Sequence, residues 1–103
     1  MPTANTGFIL APAPGGNKSV LNINARAVVS AVPAILVTVT VVALGTGPGF
    51  VWDTNTTTGV GAANLIGTIP NALGTYYFNS WPCFVGIVVQ RPTSSGAVVV
   101  AYS

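Results

Sequence analysis

The side chains able to do acid–base, nucleophilic or metal chemistry in this chain are few: Lys18, Arg26, Asp53, Cys83 and Arg91, with no His and no Glu. Proton shuttling and nucleophile activation both need a base beside the reacting group. Without His, neither a Ser–His nor a Cys–His pair can form. With one carboxylate, the paired acids of a glycosidase cannot form either. A single cysteine excludes an intramolecular disulfide and a thiolate metal cage. Asp53 stands at the head of a polar stretch, which suits a turn cap or an arginine partner better than a metal ligand. Cys83 is expected to be a small buried hydrophobe. The glycine-rich runs "GTGPG" (45–49) and "GVGAAN" (59–64) lack the following Gly-Lys-Ser/Thr and the βαβ setting of a phosphate loop. The sequence therefore predicts no enzyme, no cofactor and no metal.

The same scarcity bounds partners. Only 4% of residues are charged, against roughly 25% in an ordinary soluble domain. Three cations can neutralise few phosphates, so nucleic acid is not an expected partner. The aromatics are the remaining candidates for recognition. Trp52, Tyr76 and Phe78 alternate with polar neighbours as core residues do, which leaves Tyr77 facing outward and Trp81, before Pro82, between strands. With the polar loop 53–61, Tyr77 and Trp81 could form a glycan platform at the tip of a tail or fibre.

These residues must be positioned by strands. From Ala27 to Trp52 no side chain is ionisable, a stretch long enough to cross a bilayer. The core of it, "AILVTVTVVALG" (34–45), is nonetheless β-branched, is preceded by Pro33 and alternates Val with Thr. The rest of the chain has the same texture, so no membrane span is expected. Strands are predicted at 19–24, 27–32, 35–44, 49–53, 64–69, 75–79, 84–90 and 97–102, with Pro- and Gly-marked turns between them. "RPTSSG" (91–96) is expected to close a hairpin between the last two. The predicted fold is an all-β antiparallel sandwich spanning 18–103, with an eight-stranded jelly roll as its finer form. Residues 1–17, rich in Pro, Gly, Ala and Asn, are expected to form an extended N-terminal arm anchored by Phe8, Ile9 and Leu10.

In the strand 35–44, alternation aims Ile35, Val37, Val39 and Val41 at the core and Leu36, Thr38, Thr40 and Val42 outward. That outward row, together with Tyr77 and Trp81, is too apolar for a wet surface. Strand edges without Lys or Glu would also invite unwanted pairing. Cover by sister subunits or a host assembly resolves both, and a dimer or trimer is the expected state.

The segments "VWDT", "GAANLIGTIPNALGTYYFNSWPCFVGIVV" and "GAVVVAYS" resemble small structural proteins of tailed bacteriophages, over roughly residues 19–103. The resemblance implies a non-enzymatic virion component, such as a capsid decoration (cement) protein or head fibre. Such a protein would be oligomeric and bound to the major capsid protein or another virion protein. Its expected place is the capsid surface rather than the tail.

Overall fold

The computed structural model describes residues 18–103. The arm expected over 1–17, with Phe8, Ile9 and Leu10, lies outside the described residues. Eight strands follow in order: β1 (Lys18–Ile23), β2 (Ala27–Ser30), β3 (Ala34–Ala43), β4 (Gly49–Trp52), β5 (Leu65–Ile69), β6 (Gly74–Cys83), β7 (Ile87–Gln90) and β8 (Ala97–Tyr102), with a 3-10 turn at Ala62–Asn64 before β5. All eight predicted strands are present. β6 runs on to Cys83, and β7 is confined to Ile87–Gln90. The apolar run at 34–45 is strand β3, and among the described residues no helix is long and apolar enough to cross a membrane.

The strands form two four-stranded antiparallel sheets, ordered β1-β8-β3-β6 and β2-β7-β4-β5. Only β4 and β5 are consecutive neighbours in one sheet; every other connection crosses to the opposite sheet. The hairpin expected across 91–96 is therefore incorrect. β7 pairs with β2 and β4, while β8 pairs with β1 and β3. The 92–96 loop binds the 45–47 loop instead: the Thr46 N–H donates to the Thr93 carbonyl at 2.7 Å and the Thr93 N–H to the Gly47 carbonyl at 3.2 Å. A side chain at Gly45 would strike the Thr93 backbone. A turn-rich sequence was satisfied by a loop partner rather than by strand pairing.

Val29, Val51, Ile69, Ile87 and Val89 from one sheet meet Ile23, Leu36, Val39, Val41, Cys83, Val98 and Val100 from the other in a single core. Tyr76 and Phe78 pack against it. β-Branched side chains suit this role, since their restricted χ1 fits a pleated surface.

Bulges set which residues enter the core. In β3 the register slips between Leu36 and Thr38 against both β6 and β8. One extra residue reverses the phase of a two-residue repeat. Leu36, expected on the outer face, is fully buried, and Ile35, expected in the core, is 40% exposed. Beyond the slip the expected phase holds: Val39 and Val41 are buried and Val42 is exposed. β1 slips between Val20 and Ile23, where Asn22 takes φ 54°. Asn tolerates that left-handed backbone better than most residues. Ile23 consequently turns inward while Leu21 is left exposed, although simple alternation would place both on one side. Opposite the β3 slip, edge strand β6 bulges at Asn79 and Ser80, with φ 53° and 54°, and it contains Pro82. A kinked edge that lacks an N–H is a poor template for strand addition.

Candidate functional site

The outer faces of the two sheets are built differently. On the β1-β8-β3-β6 sheet, Val39, Val41, Val98, Val100 and Tyr76 point to the core. Their alternating neighbours point outward. Cross-strand pairing aligns Thr38 with Ala101 and Tyr77, and Thr40 with Val99 and Thr75. Thr40 Oγ1 and Thr75 Oγ1 share a hydrogen bond of 2.9 Å. Tyr77 is 74% exposed and Val42 is 52% exposed. Among the described residues, strands β3, β6 and β8 carry no charged side chain, and Lys18, on edge strand β1, lies over the Tyr102 ring at 5.9 Å. Of the residues expected to form an exposed interface, Thr38, Thr40, Val42 and Tyr77 are brought together here. Leu36 is not, because the β3 bulge turns it into the core. Trp81 sits opposite Leu36 at the far end of β6 and is about half exposed.

The β2-β7-β4-β5 sheet has an outer face covered at its centre, while Val28 and Leu65 on its edge strands stay exposed. Val51 and Val89 pair with each other and point inward, so Trp52 and Val88, also a pair, point outward. Both are buried nonetheless. Phe50 and Trp52, two residues apart on β4, bring their rings to 5.7 Å between centroids. The Arg26 guanidinium lies over the Trp52 ring at 5.1 Å. Its Nε and Nη2 donate to Gln90 Oε1 at 3.0 and 2.6 Å, and its Nη1 donates to the Thr57 carbonyl at 3.4 Å. A planar cation stacked on an indole and fixed by a fork of hydrogen bonds is a rigid arrangement. Trp52 is thus buried as expected, but beneath Arg26 rather than between the sheets.

Arg26 and Gln90 form the ridge between two hollows on this face. One, of about 510 Å³, is lined by Arg26, Arg91 and the hydroxyl residues Thr57, Thr58, Thr93 and Ser94. The other, of about 290 Å³, is lined by Phe50, Trp52, Val60 and Leu65. The wall formed by the 53–64 loop is held by Asn64, whose Oδ1 accepts from the Gly61 N–H at 3.0 Å and whose Nδ2 donates to the Gly59 carbonyl at 2.8 Å. The loop therefore belongs to the face opposite Tyr77, and the two do not make one platform.

Asp53 caps a turn, one of the two roles expected of it. Its carboxylate accepts N–H bonds from Phe84 at 3.0 Å, Val85 at 2.9 Å and Gly86 at 3.2 Å. Burial opposes its charge, but the three N–H donors outweigh that and hold the carboxyl below its ordinary range. Cys83 is the buried hydrophobe expected. Burial, reinforced by the Asp53 charge, pushes its thiol up to about 11, which keeps it protonated and unreactive at neutral pH.

Sequence reasoning missed Arg26, Phe50, Gln90 and Arg91 as a group. One signal was available: Phe50 and Trp52 flank Val51, so alternation puts both aromatics on the face away from the core. No protein-family model, curated protein or solved structure matches the chain.

Proposed function

We propose that the protein is a non-enzymatic structural subunit of a tailed-bacteriophage particle. In this reading it is a capsid decoration protein that self-associates through the outer face of the β1-β8-β3-β6 sheet. The observation that carries the reading is that face, where β8, β3 and β6 present Thr, Ala and Val with Tyr77 and no charge among the described residues. Short side chains cannot fold over to shield one another, so cover must come from another molecule, and a two-fold or three-fold set of sister copies supplies it.

Two further points support the reading. The strand order, with β1–β2 running beside β8–β7 and β3–β4 beside β6–β5, supports reading the sandwich as a jelly roll, an architecture used by viral capsid and lectin domains. Fold alone does not carry function, and the phage assignment rests on the resembling segments of β4 to β8. On this account the arm at 1–17 reaches the major capsid protein through Phe8, Ile9 and Leu10, and the protein resides on the capsid surface.

Shells that lack this subunit, mixed with the purified chain and sedimented, test the proposal. Co-sedimentation that is lost when residues 1–17 are deleted is expected. A chain that stays in the supernatant contradicts the capsid reading.

A further inference from the structure

We infer that the outer face of the β2-β7-β4-β5 sheet carries a binding site for a carboxylated sugar, seated across the two hollows that share Arg26 and Gln90. This is independent of the capsid reading and uses none of the residues of the uncharged face.

Charge placement is the first ground. The whole sequence has three cations, and two of them, Arg26 and Arg91, line one hollow that has no acidic residue in its wall. The chain's one carboxylate, Asp53, is committed to the backbone of residues 84–86. Among the described residues, Arg26 is met by neutral acceptors, the Gln90 amide and the Thr57 carbonyl. In a protein so poor in charge, two uncompensated guanidinium groups at one hollow select for an anion.

Pre-organisation is the second ground. Stacking on Trp52 and the two hydrogen bonds donated to Gln90 Oε1 hold the Arg26 side chain before any ligand arrives, which lowers the ordering cost of binding. Gln90 Oε1 is engaged by Arg26, which turns the amide nitrogen of Gln90 into the group left to donate.

The lining then narrows the class of anion. Threonine and serine hydroxyls rim the charged hollow, and these both donate and accept, as sugar hydroxyls do. The adjoining hollow offers Phe50, Val60 and Leu65, apolar surface against which the C–H face of a pyranose packs. An isolated phosphate would use the arginines and leave the apolar hollow empty. A nucleic-acid strand would demand more cations than the chain has. A short carboxylated oligosaccharide, with its acid group at the arginines and a neighbouring ring on the apolar hollow, uses all three features, and hollows of this size suit it.

The test is a calorimetric or ligand-observed NMR titration of the full chain with 3′-sialyllactose and with trigalacturonate. Lactose, inorganic phosphate and an oligo-glutamate peptide serve as comparison ligands. Saturable binding of one carboxylated saccharide, about tenfold or more tighter than lactose, is expected, because one charge-assisted contact is worth about a factor of ten. Arg91→Gln should weaken it about tenfold, Arg91→Lys should weaken it less, and Tyr77→Ala should leave it unchanged. Circular dichroism of each variant verifies that the sandwich is intact. The inference is overturned by absence of saturable binding to both carboxylated saccharides, by equal binding of lactose, by tighter binding of phosphate or peptide, or by full affinity in both Arg91 variants.

Discussion

Val88 and Val99 are both outward-facing valines on inner strands of a four-stranded sheet, and they meet different fates. Val88, on β7, is fully buried beside Trp52, on the face where Arg26 lies over the Trp52 ring and Phe50 pairs with Gln90. Val99, on β8, stands beside Thr40 and is only partly covered. The difference lies in the length of the neighbouring side chains. Arginine, glutamine and aromatic residues reach across a sheet and lie flat on it, as long amphipathic side chains do. Thr, Ala and Val cannot. One sheet therefore covers the centre of its own surface and keeps hollows at the edge of the cover, while the other presents a surface of short, uncharged side chains, the one proposed above to meet a sister copy.

The sharpest way to break this comparison is to remove the internal cover. Trp52→Ala should lower unfolding free energy by about 3–5 kcal/mol, the range for deleting a buried large aromatic. Tyr77→Ala, on the uncovered face, should change it by less than about 1 kcal/mol. Urea denaturation of both variants measures the contrast, and equal losses would erase it. The β3 bulge is sharpened by a second pair. Leu36→Ala should cost about 2–5 kcal/mol and Ile35→Ala under about 1 kcal/mol; the reverse order would restore uninterrupted alternation along β3.

A smaller effect is expected at Asp53, which ties the end of β4 to the chain between β6 and β7. Asp53→Ala should cost about 1–2 kcal/mol, a value reduced because Phe84 and Val85 are exposed to solvent. Since the folded carboxyl is held below its ordinary range, its contribution is present at neutral pH and is lost as the pH falls below about 4. Thermal melts should show that acid loss in the native protein and a flatter acid limb in Asp53→Ala. Smallest of all, Thr40→Lys should leave the stability of the isolated chain within about 0.5 kcal/mol, because the site is a surface position on its own sheet.

Strand existence was legible because alternation of Val, Ile and Thr against polar neighbours is a local signal, and all eight strands follow from it. What failed depended on single extra residues or on distant partners. Leu36 and Leu21 were misplaced because a bulge reverses phase and neither bulge leaves a mark that Gly or Pro would leave. Asn22, at φ 54°, is the nearest thing to a signal, since Asn is favoured in that conformation. The 91–96 turn was assigned to a hairpin because turn chemistry does not say which strand comes next in space. The outward placement of Thr38, Thr40, Val42 and Tyr77 was legible once the strands were. The Arg26 site was not, because it needs β7 beside β4, and sheet order is not a local property. Arg26 and Gln90 are 64 residues apart in sequence.

Sedimentation equilibrium of the native chain beside Thr40→Lys tests the central claim most directly. The account predicts a native dimer or trimer of the 10.4 kDa chain and a variant that sediments as the monomer, since a lysine on the uncharged face would have to be buried without a partner. A native chain that is monomeric at every concentration reached, or a variant that assembles as the native chain does, would contradict it.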